Sequence, residues 1–467
     1  MTTIQTTPGR IGEATITDFA GGLRGSAVTP GDDAYDRERS IWNGAHDRRP
    51  AIIARCAGVA DVIRTVDLAR SEGMALAVRG GGHSLAGFST CDAIVLDLSL
   101  MRGVRVDPAG RRATAQAGCL WRDLDVETQQ FGLALTGGVV STTGIAGFTT
   151  GGGIGWLVRR CGLACDNLVG ADVVTADGGF LHTDADEHPE LFWGLRGGGG
   201  NFGVVTSFDY RLHDVGPTVY AGLVFYQADE AEQVLRGYRA ACAHAPDELT
   251  TVLNMTTAPP VPFLPESAHH KPIVVVCCCW SGDVDAGEEA TTVFRSLGTV
   301  VSDVFALQPY VAWQQILDPL WPRGAHNYFR SAFLEAVDDA SLRVLLDSYA
   351  RIPNAMSELH VHHLGGAVNH VEQDATAYAM RNHDYVVNVV ARTATAEGFG
   401  PAVKWARGVT SDLGADAATY VNFTGDADAA VARASYPPNT YRRLVDVKTE
   451  YDPTNLFRLN QNIPPRV

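Results

Sequence analysis

Val78-Arg79-Gly80-Gly81-Gly82-His83-Ser84 decides the reading of this chain. The apolar run ahead of it reads as a strand that delivers the backbone into a glycine turn carrying one imidazole. Glycine lets backbone N–H groups approach a phosphate closely and adopt positive φ. A neutral imidazole has a lone pair able to attack carbon. Taken alone, the turn describes an ordinary loop histidine more often than not.

Two more glycine clusters lie downstream, Gly151–Gly153 and Gly197–Gly200. Any one of them reads as a tight turn, but several in one domain point to a large anionic cofactor. Gly198–Gly203 formally spells GxGxxG. A helix-like stretch precedes it and the strand-like VVTSFDYRL follows, which reverses the order a dinucleotide fold requires. No Walker motif is present. The nearest approach to a nucleophile elbow, at Gly82-His83-Ser84-Leu85, is broken by Ala86.

The 467 residues exceed what one core holds, so two or more domains are expected. With 53 acidic and 37 basic side chains the net charge is −16, which argues against nucleic acid or an anionic membrane as the main partner. The nine cysteines are odd in number and irregularly spaced, and three are consecutive at Cys277–Cys279. On a strand those three point to alternate faces, so a disulfide scaffold is not expected and a reducing, cytoplasmic setting is. Cys161 and Cys165 read as packing residues, because no second pair follows at zinc spacing. The opening MTTIQTTPGRIGE lacks the pattern of a secretory leader, and no apolar stretch reaches the ~18 residues of a membrane helix.

Residues 1–45 read as an arm with a short helix. Residues 46–215 alternate short strands and helices, and residues 216–410 alternate longer strands with amphipathic helices, as in a sheet covered on one face. Residues 411–467 read as a returning tail of strand, helix and closing segment, with the strand at ATYVNF. The class is α+β.

Five separated motifs then fall in one family's order: VRGGGHSLAGFST, AIVLDLS, TTGIAGFTTGGGIGWLVRRCGLACDN, ELFWGLRGGGGNFGVV, and YVNF with YDPTNLFRLNQNIPP. The chain resembles the berberine-bridge-type branch of the vanillyl-alcohol-oxidase (PCMH/VAO-type) flavoproteins over nearly its whole length. Within that branch it is similar to polyketide-tailoring enzymes of the enterocin type and to bacterial 6-hydroxynicotine oxidases. The resemblance implies an FAD-binding domain in two subdomains, a substrate domain over the isoalloxazine, and a tail that returns to the flavin. It implies FAD bonded covalently through His83. Arg79, Gly80, Gly81, Gly82, Ser84 and Leu85 match the first phosphate loop; Gly144, Gly147, Gly152 and Gly153 match the second. Val205 matches a backbone contact, and Tyr420, Asn422 and Asn460 match tail positions near the ring.

Three departures matter. Val140 stands where many relatives carry a second, cysteinyl link, so a single tether is expected. Phe423 replaces the tyrosine base of the family's carbohydrate oxidases. His360 and Asn254 fall where the enterocin-type enzyme has a glutamate and a tyrosine, while its oxygen-site threonine is kept as Thr143. Strand alternation in SELHVHHLGG places His360 and His362 on one face and His363 on the other. Either of the first two is a candidate general base. They also read as a metal pair lacking a third ligand or nearby carboxylate, or as plain core histidines. Tyr328, Tyr378 and Arg381 are further candidates to reach the cavity.

The implied activity is oxidation of a small polyketide, phenol, alcohol or cyclic amine with O₂, in bacterial secondary metabolism, by an FAD-linked oxidase or a flavin-N5-oxide-type oxygenase. A dehydrogenase that excludes O₂, and a flavin-bearing binding protein without turnover, are the alternatives. No metal is expected; the oligomer is a monomer or homodimer.

Overall fold

The computed structural model describes residues 11–414 and 418–466, so most of the segment read for a leader lies outside it. The first layer is a four-stranded sheet in the spatial order Ser26–Val28, Ile52–Arg55, Ile94–Asp97, Leu76–Arg79. Its last three strands run parallel and are nearly continuous in burial, which is why they read as unbroken apolar runs. Helix Val59–Ser71 covers them with Val62, Thr65, Val66 and Ala69, and the chain leaves it through Gly73 at φ 62°, the left-handed position that glycine favours. The N-terminal arm is more than a helix, because Ser26–Val28 pairs antiparallel with Ile52–Arg55 and completes the sheet edge.

The second layer is a five-stranded antiparallel sheet in the order Val104–Asp107, Arg112–Gln116, Val204–Arg211, Leu168–Val174, Phe180–Thr183. Helix Pro189–Leu195 precedes the third glycine cluster and strand Val204–Arg211 follows it, the helix-then-strand order expected.

The third layer is an eight-stranded antiparallel sheet. Its main path runs Val300–Asp303, Thr218–Gln227, Pro272–Trp280, Leu249–Thr257, Glu358–His363, Tyr385–Thr393, His326–Leu334, and Ala306–Pro309 also pairs with Thr218–Gln227. Helices Ala231–Cys242, Asp339–Tyr349 and Phe399–Asp412 bury one face. Strand alternation sorts the side chains cleanly. Leu253, Cys278, Leu359, Val361, Val387 and Val389 lie under the helices, while Cys277 and Cys279 lie on the opposite face. All nine cysteines are free and buried.

ATYVNF is not a strand. It is extended coil closed by a single turn at Val421–Phe423. Side chains take the backbone partners a ladder would use: Tyr420 N donates to Ser331 Oγ at 2.8 Å, and Ser331 N donates to Thr419 Oγ1 at 3.3 Å. Helices Ala429–Ala434 and Pro438–Tyr451 then lead to the closing segment.

Candidate active site

A cavity of about 400 Å³ separates the glycine loops from the open face of the large sheet. Gly80, Gly81, Gly82, His83, Ser84 and Leu85 line it from the first loop; Thr143, Gly144 and Gly147 line it from the second. The GxGxxG segment also takes part, through Gly198, Gly199 and Gly200, and Val205 follows on its strand. Asn422 and Asn460 reach the cavity from the tail, and His360 and His362 from the sheet.

Four expected contacts stand one layer back. Arg79 turns away, donating from Nε to Ser89 O at 3.1 Å and lying 3.7 Å from Asp97. Tyr420 is buried beneath the second loop, where its hydroxyl accepts from Gly153 N at 2.7 Å and from Asn422 Nδ2 at 2.9 Å. Gly152 and Gly153, at φ 122° and 100°, shape that loop without lining the cavity. Tyr328, Tyr378 and Arg381 do not reach it either. Tyr328 bonds Asp426 at 2.9 Å, Tyr378 packs behind Gly152, and Arg381 grips Asp166 at 2.6 and 3.1 Å.

The loops are shaped as a cradle. A Cβ on Gly81 would sit 2.4 Å from Gly144 Cα, so the two turns meet backbone to backbone. A Cβ on Gly147 or Gly200 would meet no atom within 4 Å, so these positions present bare backbone to open space. Among the described residues no lysine or arginine lines the cavity. A phosphate there must rely on N–H groups, the chemistry glycine loops supply.

His83 is held from two sides. Its ring stacks on Trp42, with centroids 4.8 Å apart and planes 14° from parallel, and its Nε2 lies 3.2 Å from Thr142 Oγ1. Burial, followed by the charge of Arg323, pushes its pKa down to about 3. The imidazole is therefore neutral at pH 7, with a lone pair to offer. Trp42 N donates to Gly82 O at 3.1 Å, and Asn43 Nδ2 ties Leu85 O to Asn327 O at 2.9 and 2.8 Å. Both residues come from the N-terminal arm, and only tertiary packing brings them to the site.

On the sheet wall, Glu358 joins His360 and His362 on the cavity face. A carboxylate is thus near the histidine pair, contrary to the sequence reading. Glu358 Oε2 lies 3.3 Å from His360 Nε2, without hydrogen-bond alignment. Burial, then His360, pushes the His362 pKa down to about 3. His363 faces the opposite way, stacked on Tyr385 and 3.0 Å from Arg159, as strand alternation requires.

Residues 50–184 match the family model described as an FAD binding domain, and residues 419–464 match the one described as berberine and berberine like. The (R)-6-hydroxynicotine oxidase of Paenarthrobacter nicotinovorans is 31% identical over 95% of this chain and 97% of its own length. An FAD-linked oxidoreductase of Dictyostelium discoideum is 31% identical over 96% and 97%. The chain belongs to the berberine-bridge-like FAD-linked oxidoreductases. The crystal structure of 6-hydroxy-D-nicotine oxidase from Arthrobacter nicotinovorans superposes with a TM-score of 0.85 at 30% identity, covering 95% of this chain and 98% of that one. BBE-like 1 of Physcomitrella patens shares the fold, with a TM-score of 0.86 at 20% identity over 97% and 100%.

In this FAD-linked oxidoreductase, Val140 and Phe423 both line the cavity, and no cysteine does. Among the described residues no three His, Cys, Asp or Glu side chains gather as a metal site, and no helix is long and apolar enough to cross a membrane.

Proposed function

We propose that this FAD-linked oxidoreductase carries FAD on a single covalent bond from His83 and oxidises a small organic molecule, with O₂ as the final acceptor. The observation that carries the reading is His83 itself: a desolvated, neutral imidazole clamped between Trp42 and Thr142, at the mouth of a glycine turn with bare backbone around it. The name of the 6-hydroxynicotine oxidase relative supports a small hydroxylated heterocycle or arene as the class of substrate. We divide the chain into the arm, the FAD-binding domain, the substrate domain at residues 216–410 and the returning tail, and place it in the bacterial cytoplasm, in secondary metabolism.

FAD bound in the cavity supplies a two-electron acceptor beside the substrate. Its pyrophosphate would rest on the N–H groups of the glycine loops. Asn422 and Asn460 would hold its ring from the tail, and Thr143 would border the side on which O₂ reacts. The protein's own part is proton transfer. His362 is a poor base at neutral pH, since its burial opposes charge. His360 takes the substrate proton, and the Glu358 carboxylate 3.3 Å away stabilises the imidazolium that results. His360→Asn is expected to slow anaerobic flavin reduction by roughly 10²–10⁴-fold with flavin content unchanged. An undiminished rate removes His360 from this role. Rapid reoxidation in air supports the oxidase reading, and slow reoxidation supports a dehydrogenase.

A further inference from the structure

The sheet wall of the cavity carries an ordered polar row. Asn254 stands directly opposite His360 across one ladder, and His360 directly opposite Asn388 across the next. Cross-strand partners share a face, and all three line the cavity. Neighbouring strands are about 4.8 Å apart, so the three polar groups stand in line at that interval. Glu358 and His362 flank His360 along its own strand.

The row lacks partners. Asn254 Oδ1, Asn388 Oδ1, His360 Nε2 and His362 Nε2 are all buried without a hydrogen bond. Asn388 is 2% exposed and His362 4%. Asn254 Nδ2 points to Cys277 Sγ at 3.8 Å, which leaves its oxygen for the cavity. Unpaired buried polar atoms on this scale oppose folding unless a ligand or water supplies partners. The surroundings are flat and apolar: Trp321, Phe329, Phe423 and Val252 border the row. Among the described residues Glu358 is the one acidic residue lining the cavity, and neither lysine nor arginine lines it.

We propose that this row is the substrate-recognition subsite, and that it takes a neutral planar arene bearing two hydroxyl groups in a 1,3 relation. The inference rests on the reading of this cavity as the substrate site. Hydroxyls supply the donors that the acceptors lack. Oxygens related 1,3 on a ring are about one strand spacing apart, so adjacent members of the row each receive one. Oxygens related 1,2 are too close to reach two members. A carboxylate finds no cation here and meets Glu358. Asn254 and Asn388 set the specificity, and His360 between them meets the hydroxyl to be deprotonated.

Calorimetric titration of the purified holoprotein tests this with 5-pentylresorcinol, 3-pentylphenol and 3-pentylbenzoate. The resorcinol is expected to bind about tenfold more tightly than the phenol, the effect of one good hydrogen bond, and the benzoate not at all. Asn254→Leu and Asn388→Leu remove unsatisfied groups and are expected to melt no lower than wild type. The variant at the asparagine that receives the second hydroxyl is expected to weaken resorcinol binding about tenfold and phenol binding less than threefold, the other to leave both nearly unchanged, and serine at the sensitive position to restore part of the preference. Equal affinity for resorcinol and phenol, no binding of resorcinol, tighter binding of the benzoate, or an unchanged preference in both leucine variants overturns the proposal. The titrations are run without O₂ on holoprotein whose flavin has been reduced beforehand, so the heat reports binding alone and the two readings fail separately. A holoprotein that prefers the resorcinol yet whose flavin is reduced by no phenol, alcohol or cyclic amine contradicts the oxidase reading. One that oxidises other compounds and ignores the second hydroxyl contradicts this one.

Discussion

His83 lies flat against Trp42, ring centroids 4.8 Å apart. The stack excludes water from the imidazole and fixes its plane, so Trp42 acts on the proposed flavin tether although it belongs to the N-terminal arm. Trp42→Ala opens that side of His83 and removes a buried indole, a loss of about 3–5 kcal/mol in stability. The expected result is flavin that leaves the protein on acid precipitation, while Trp42→Phe keeps most of it in the pellet. A pellet as yellow as wild type in Trp42→Ala contradicts the role given to the stack.

Two glycine substitutions separate cofactor space from fold integrity. At Gly81 a Cβ would strike Gly144 Cα at 2.4 Å, so Gly81→Ala is expected to lower both the melting temperature and the flavin-to-protein absorbance ratio. At Gly147 a Cβ meets nothing within 4 Å, and alanine improves a helical position by about 1 kcal/mol. Gly147→Ala is therefore expected to hold or raise the melting temperature while flavin content falls. Full flavin occupancy in Gly147→Ala means the cofactor does not press on that turn.

His362 and His363 are both held near pKa 3, mainly by burial, with His360 and Arg159 as the second causes. An unfolded histidine titrates near 6.5. Between about pH 3 and 6.5 the unfolded chain binds protons that the folded chain refuses, so stability falls as pH falls through that window and is complete above it. Urea unfolding between about pH 7.5 and 5.5 is expected to show this loss at roughly 1 kcal/mol per histidine per pH unit below 6.5. The His362→Asn/His363→Asn double variant is expected to give a shallower slope. An identical slope contradicts the assignment.

The parts of the site set by local chemistry were legible in the sequence. Gly82 sits at φ 72° and tolerates little else, so the glycine turn announced itself. Period-two alternation sorted His360 and His362 from His363, and Cys277 and Cys279 from Cys278. What depended on register or distant packing was hidden. Asn388 joins His360 through strand pairing that nothing local specifies. Glu358 shares the period of the two histidines, but at the start of a strand it reads in sequence as a solvated carboxylate. Trp42 and Asn43 reach His83 and Leu85 from a segment whose composition reads as an arm. ATYVNF has strand composition, yet Ser331 and Thr419 capture its backbone bonds.

The central claim is the bond between His83 and the flavin. Intact-mass measurement on the acid-denatured protein tests it directly. Wild type is expected to be heavier than its sequence by one FAD, with the added mass on the peptide containing His83, and His83→Ala to show the bare sequence mass. Wild type at the bare sequence mass, with FAD free in the supernatant, would contradict the account.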